Sequence, residues 1–186
     1  RALPYDLHVT AGIDNTGKGI LLTFVNTGNA AAVFHVRDIT GSTQPRSYSV
    51  PPRSTLADRW TAKHDHYDID IHGPNGFFRG FAGRMHRDYG EMSVSTENDP
   101  KRGVCIVTLH SPSAHLKVED GYTGHVTDCP SSSSITRLEV ETNATSGWYD
   151  LILRDRHHRH IRWRIGGHIE TGRDSTTDPA IGRQTN

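Results

Sequence analysis

A hairpin-shaped stretch occurs twice in this chain. Residues 67 to 83 read YDIDIHGPNGFFRGFAG and residues 149 to 167 read YDLILRDRHHRHIRWRIGG. Each is an alternating apolar run, a polar turn, a second alternating run and a closing glycine. A period of two places successive side chains on opposite faces of a strand, so one face is buried and the other is wetted. In the first copy Tyr67, Ile69 and Ile71 share a face, with Asp68 and Asp70 on the other. In the second, Tyr149, Leu151 and Leu153 share one, and Ile161, Trp163 and Ile165 then alternate with Arg162 and Arg164. Gly73-Pro74-Asn75-Gly76 supplies the first turn. Pro74 presets its φ, Asn75 tolerates a left-handed backbone, and Gly76 has no Cβ to clash there.

The repetition extends beyond the hairpins and sets the domain count. Tyr67 and Tyr149 lie 82 residues apart, as do Asp38, ending AVFHVRD, and Asp120, ending AHLKVED. Leu22 matches Val104, Phe24 matches Ile106 and Leu56 matches Leu138 at that offset. After the turn the offset becomes 84, pairing Phe77 with Ile161, Phe81 with Ile165 and Gly83 with Gly167. An insertion of two residues keeps the side-chain faces in phase. Solenoid units run to roughly 20 to 50 residues, so this longer period marks a duplicated domain. The expected fold is all-β: two tandem antiparallel β-sandwich domains, each immunoglobulin-like, related by internal duplication. The first spans residues 1–90, and the second, with a C-terminal tail, residues 91–186. An apolar content of 33% is enough for such sandwiches, where only alternate residues need be apolar. No apolar 3.6-residue period persists for three turns, which predicts almost no helix.

Formal net charge is zero, so nothing in the overall balance draws the chain to nucleic acid. No apolar run approaches the roughly 18 residues of a spanning helix. GIDNTGK has the spacing of a phosphate-cradling loop, but Gly19 stands where Ser or Thr must bind magnesium, and the strand ILLTFV follows in place of a helix. It reads as a hairpin turn. Thirteen histidines invite a metal reading, with Asp65-His66 and His157-His158-Arg159-His160 the densest groups. Adjacent side chains on a strand or tight turn point apart, whereas metal ligands must converge. No serine sits in a GxSxG elbow. No catalytic, cofactor-binding or metal residue is therefore assigned, and no cofactor is implied. Asn143-Ala144-Thr145, although a glycosylation sequon, reads as a turn.

The second hairpin concentrates positive charge. Arg154, Arg156, His157, His158, Arg159, His160, Arg162 and Arg164 form a candidate patch for an anionic surface. The arginines stay charged, and the histidines gain charge as pH falls through about 6.5. The competing reading is the solvated outer face of a strand whose Trp163 belongs to the core. The alternation of Trp163 with Arg162 and Arg164 accounts for the whole run on that reading and favours it.

LPYDLHV, ILLTFVNTGNAAAVFHVRD, YDIDIHGPNGFFRGFAG, GWYDL and the closing GHIETGRDSTTDPAIG resemble the tandem C-terminal domains of secreted bacterial phospholipases C. These belong to the acid-phosphatase-like group acting on phosphatidylcholine or sphingomyelin. The basic, His-rich turn of the second hairpin is no part of that resemblance. The resemblance implies the non-catalytic C-terminal region of an exported enzyme whose phosphodiesterase chemistry belongs to a preceding catalytic domain. A start at Arg1 without an initiator Met fits a piece of something longer. The implied partners are that upstream domain and a phospholipid surface. The alternative is a stand-alone extracellular carbohydrate- or protein-binding module, which the same fold serves equally well. Export permits a disulfide between Cys105 and Cys129, but a strand cysteine facing the core is as readily a buried thiol.

Overall fold

The computed structural model describes residues 3–61, 65–85, 93–110, 116–129, 135–156, 160–172, 174 and 176–181. Among them the first half forms β1 (Leu7–Ile13), β2 (Gly19–Asn26), β3 (Ala32–Asp38), β4 (Arg46–Val50), β5 (Ser54–Thr61), β6 (His66–His72) and β7 (Phe78–Arg84). The second forms β8 (Ser93–Asp99), β9 (Val104–His110), β10 (Leu116–Asp120), β11 (Val126–Asp128), β12 (Ile135–Glu141), β13 (Trp148–Asp155) and β14 (Arg162–His168). A 3-10 turn at Asn143–Thr145, on the sequon, is the one helical element described. The predicted hairpins are β6–β7 and β13–β14.

The halves pair their strands in the same order. The first makes β1-β2-β5 and β4-β3-β6-β7, and the second makes β8-β9-β12 and β11-β10-β13-β14, all antiparallel. β7 then pairs with β14, so the two four-stranded sheets become one sheet of eight strands. The register sets Ala82 opposite Arg162, Phe81 opposite Trp163, Gly80 opposite Arg164 and Arg79 opposite Ile165. Gly80 and Arg164 are themselves 84 residues apart, so the junction is self-complementary about that pair. It has the geometry of an isologous contact between two copies. On the other layer β1 lies beside β8.

One apolar cluster runs through both halves, from Leu7, Ile20, Phe24 and Trp60 to Leu151, Trp163 and Ile165. It includes Cys105, Val107 and Leu109 of β9 but neither Val104 nor Ile106. The matches of Leu22 with Val104 and of Phe24 with Ile106 are thereby corrected. A slip of one residue exchanges the faces of a strand, and it is Cys105 and Val107 that face the cluster. The hairpin turn follows its sequence: Asn75 and Gly76 both have positive φ, 57° and 70°, and the Phe77 amide donates to the Pro74 carbonyl at 3.2 Å. Two left-handed central residues make the type I′ turn that suits the twist of a hairpin.

The tail after β14 has no strand or helix among its described residues, but it is tied down. The Leu3 amide donates to Glu170 Oε2 at 3.0 Å, Asn75 Nδ2 to Glu170 Oε1 at 2.8 Å, and Tyr122 Oη to Asp178 Oδ1 at 3.0 Å. Glu170 thus holds the start of the chain, the first hairpin turn and the end of β14 together. Burial raises its pKa, but the Leu3 amide, His168 and Asn75 outweigh that and hold the carboxyl below its ordinary value.

Cys105 and Cys129 are free thiols, both buried, so the disulfide considered from the sequence is not formed. They belong to different sheets: Cys105 lies in β9, while Cys129 follows β11 at the edge of the eight-stranded sheet and its amide donates to the Leu116 carbonyl. Burial pushes the Cys105 thiol up to about 12, which suppresses the reactive thiolate. Titration of unreduced protein is expected to find two thiols once denatured and almost no reaction of Cys105 in the folded state. A count of zero in denaturant would show a bridge.

Candidate functional site

The outer face of the eight-stranded sheet carries a run of alternating charges from neighbouring strands. β6 presents Asp68 and Asp70 there, β14 presents Arg162 and Arg164, and β13 presents Asp150, Ile152 and Arg154, while their alternate residues Ile69, Trp163, Ile165, Leu151 and Leu153 fill the core. Trp163 is 3% exposed, in accord with the reading of this run as a solvated face over a core tryptophan. Where β7 meets β14, Gly80 leaves the face without a side chain. A groove of about 210 Å³ opens there, walled by Asp70 and Phe78 on one side and by Ile152, Arg154, Arg162 and Arg164 on the other.

The arginines are paired with carboxylates brought by neighbouring strands. Arg164 binds Asp150 with two nitrogens, Nε and Nη2, both at 2.7 Å. Arg162 Nη2 lies 3.5 Å from Asp68 Oδ2, and Arg154 Nε lies 3.6 Å from Glu119 Oε2. The hydrogen bonds that Arg164 donates to Asp150 raise the arginine's pKa further. Burial raises the pKa of Asp68, Arg162 opposes this, and the nearby Asp70 and Asp38 carboxylates add to it. The guanidinium carbon of Arg164 lies 5.4 Å from the centre of the Phe78 ring.

Of the eight residues singled out in the sequence, the structure gathers Arg154, Arg162 and Arg164 around the groove. Arg156 is set apart, its Nη2 bound to Asp128 Oδ1 at 2.7 Å beside the β11 edge. His160 is half-buried, and His157, His158 and Arg159 lie outside the described residues. Sequence reasoning missed Asp70, Phe78 and Gly80 as groove residues, because they come from the other half. Among the described residues no group of three or more His, Cys, Asp or Glu is placed to hold a metal ion. No helix among them is long and apolar enough to cross a membrane.

Comparison with known families places the first half. Residues 1–84 match the family described as bacterial phospholipase C, C-terminal domain, and the match ends on the last residue of β7. These residues belong to that family. The whole chain aligns at 34% identity with 29% of the non-hemolytic phospholipase C of Pseudomonas aeruginosa. Across 97% of the chain it is 32% identical to the non-hemolytic phospholipase C of Burkholderia pseudomallei, covering 27% of that protein. It is 28% identical to the hemolytic phospholipase C of Pseudomonas aeruginosa, covering 29% of it. The chain thus spans less than a third of the length of these curated relatives. The groove straddles the boundary of the matched segment. Asp70, Phe78 and Gly80 lie within residues 1–84, and Ile152 and the three arginines lie beyond it.

Proposed function

We propose that this chain is the non-catalytic C-terminal region of an exported phospholipase C, and that it packs against the catalytic domain and helps that domain engage lipid. The observation that carries this reading is an alignment over the full chain that leaves more than two thirds of each relative for other work. The region consists of two immunoglobulin-like units, residues 1–90 and 91–186, derived from one by duplication. The repeated strand order supports that descent, as do the matched pairs Tyr67–Gly83 and Tyr149–Gly167, each directly opposed across its hairpin. A carbohydrate-binding module would present a row of exposed aromatics. The exposed large apolar side chains among the described residues are instead aliphatic, such as Leu21, Val33, Val126 and Ile135.

The purified chain is expected not to hydrolyse a chromogenic phosphodiester. The parent enzyme trimmed of this region is expected to keep its turnover of that soluble substrate while losing about tenfold or more on phospholipid vesicles. Equal losses on both substrates would reduce the region to a folding aid, and turnover by the chain itself would end the non-catalytic reading.

A further inference from the structure

We propose that the groove across the β7–β14 junction binds a phosphate ester bearing a cationic amine, an inference that deepens the lipid-engagement reading and rests on it for the source of the ligand.

The cationic wall is the first support. Arg154 and Arg162 are direct partners in the β13–β14 ladder, and Arg164 lies two residues further along β14. Like charges placed opposite one another across a ladder are unfavourable, and an anion between them offsets the cost. The carboxylates already present satisfy these arginines unevenly. Asp150 takes two nitrogens of Arg164, whereas Arg162 and Arg154 approach Asp68 and Glu119 only at 3.5 and 3.6 Å, beyond good hydrogen-bond range. Both side chains are 52% exposed, so their guanidinium edges remain open to a ligand. A tetrahedral phosphate offers oxygens to guanidinium groups arriving from several directions, which a planar carboxylate does not.

The opposite wall narrows the ligand further. Asp70 and Phe78 face Arg154 and Arg162 across the groove, with Arg164 reaching over to the Phe78 ring, and a Cβ on Gly80 would stand 3.2 Å from both Asp70 Oδ1 and Phe78 Cε1. A carboxylate beside an aromatic ring repels a bare phosphate dianion and attracts a cation. A phosphate with an amine a few bonds away fits both walls at once. The volume is smaller than the roughly 300 to 1,000 Å³ of drug-sized sites, so it admits a head group and no acyl chain.

Calorimetric titration of the full chain with O-phosphoethanolamine at low salt tests this, with inorganic phosphate as the comparison. Saturable millimolar binding is expected, tighter for O-phosphoethanolamine and weakened by salt. Arg154→Ser and Arg162→Ser are each expected to weaken it about tenfold. Both side chains are half exposed, so an unchanged melting temperature will show that the fold is intact. Asp70→Asn is expected to lose the preference for the amine and to gain affinity for inorganic phosphate. Co-sedimentation with vesicles of equal phosphatidylcholine and phosphatidylethanolamine separates the sources. Arg162-dependent vesicle binding assigns a lipid head group, and soluble binding alone assigns a free ester. No saturable binding, or wild-type binding by all three variants, overturns the proposal. If the trimmed parent enzyme still loses activity on vesicles in that event, the groove fails and the lipid-engagement reading survives.

Discussion

Arg79→Met is expected to destabilise the chain by about 3 kcal/mol. Arg79 belongs to β7 but points into the second half, and it is only 3% exposed. Its Nη1 donates to the Phe78 carbonyl at 2.7 Å and to the Gly166 carbonyl of β14 at 2.9 Å, and its Nη2 donates to Thr96 Oγ1 of β8 at 2.9 Å. Its guanidinium carbon sits 4.3 Å from the centre of the Phe77 ring. Charge-assisted bonds of this kind contribute about 1.5–3 kcal/mol each, but the burial of a cation among neutral acceptors subtracts from their sum. Methionine keeps much of the volume and none of the donors, so the expected loss is that residue. Arg79→Lys is expected to rescue little, because a point charge on a flexible stem cannot reach three acceptors in a fixed fork. Arg79 links β7 to β8 and β14, so its loss also loosens the two halves from each other. Separate unfolding of the halves would appear in urea as a lower apparent m. A stability within about 0.5 kcal/mol of wild type would show instead that the cost of burying the cation cancels its bonds.

The hairpins were legible in the sequence because each buries one face, which forces alternation, and because Asn75-Gly76 names its own turn type. Family membership was legible because its motifs are those same strands. The junction was not. Strand edges pair through backbone groups that every residue has, so nothing in FRGFAGR announces β14 as a neighbour. One signal was available. Arg79 falls in the inward phase between Phe77 and Phe81 and stands 84 residues before Trp163, a buried aromatic. The two occupy reciprocal places: Arg79 enters the second half near Tyr149, and Trp163 packs on Phe81 at 5.1 Å near Tyr67. The one-residue slip at β9 was hidden for a different reason. VCIVTL is apolar on both faces, so periodicity has no phase from which to choose the inner one. The charge balance of the basic run was not legible, because a hairpin's own residues do not reveal the carboxylates Asp68, Glu119 and Asp128 that other strands bring alongside it.

Gly167→Ala is expected to cost about 3 kcal/mol and Gly83→Ala about 2 kcal/mol, both through overpacking. Each glycine faces a tyrosine across its hairpin, Gly167 opposite Tyr149 and Gly83 opposite Tyr67, and the ring lies over the space where a side chain would be. A Cβ on Gly167 would stand 2.7 Å from Cζ of Tyr149, and one on Gly83 would stand 2.6 Å from Oη of Tyr67. Neither separation is possible without movement. Tyr149 has the less room to move: it is 5% exposed, and its hydroxyl lies among Arg79, Thr96 and Cys105. Tyr67 is only partly buried, so its ring tilts at lower cost. Burial pushes both phenols above their ordinary pKa, so both tyrosines stay neutral at neutral pH. Tyr149→Phe removes the nearest atom and leaves the Cζ contact. The pair Gly167→Ala with Tyr149→Phe should therefore be more stable than the sum of the single losses predicts, by about 1 kcal/mol. Urea midpoints for wild type, both single variants and the double variant close the cycle. Strict additivity, or a Gly167→Ala protein as stable as wild type, would show that the ring moves aside freely and that these glycines are not what fixes the hairpins.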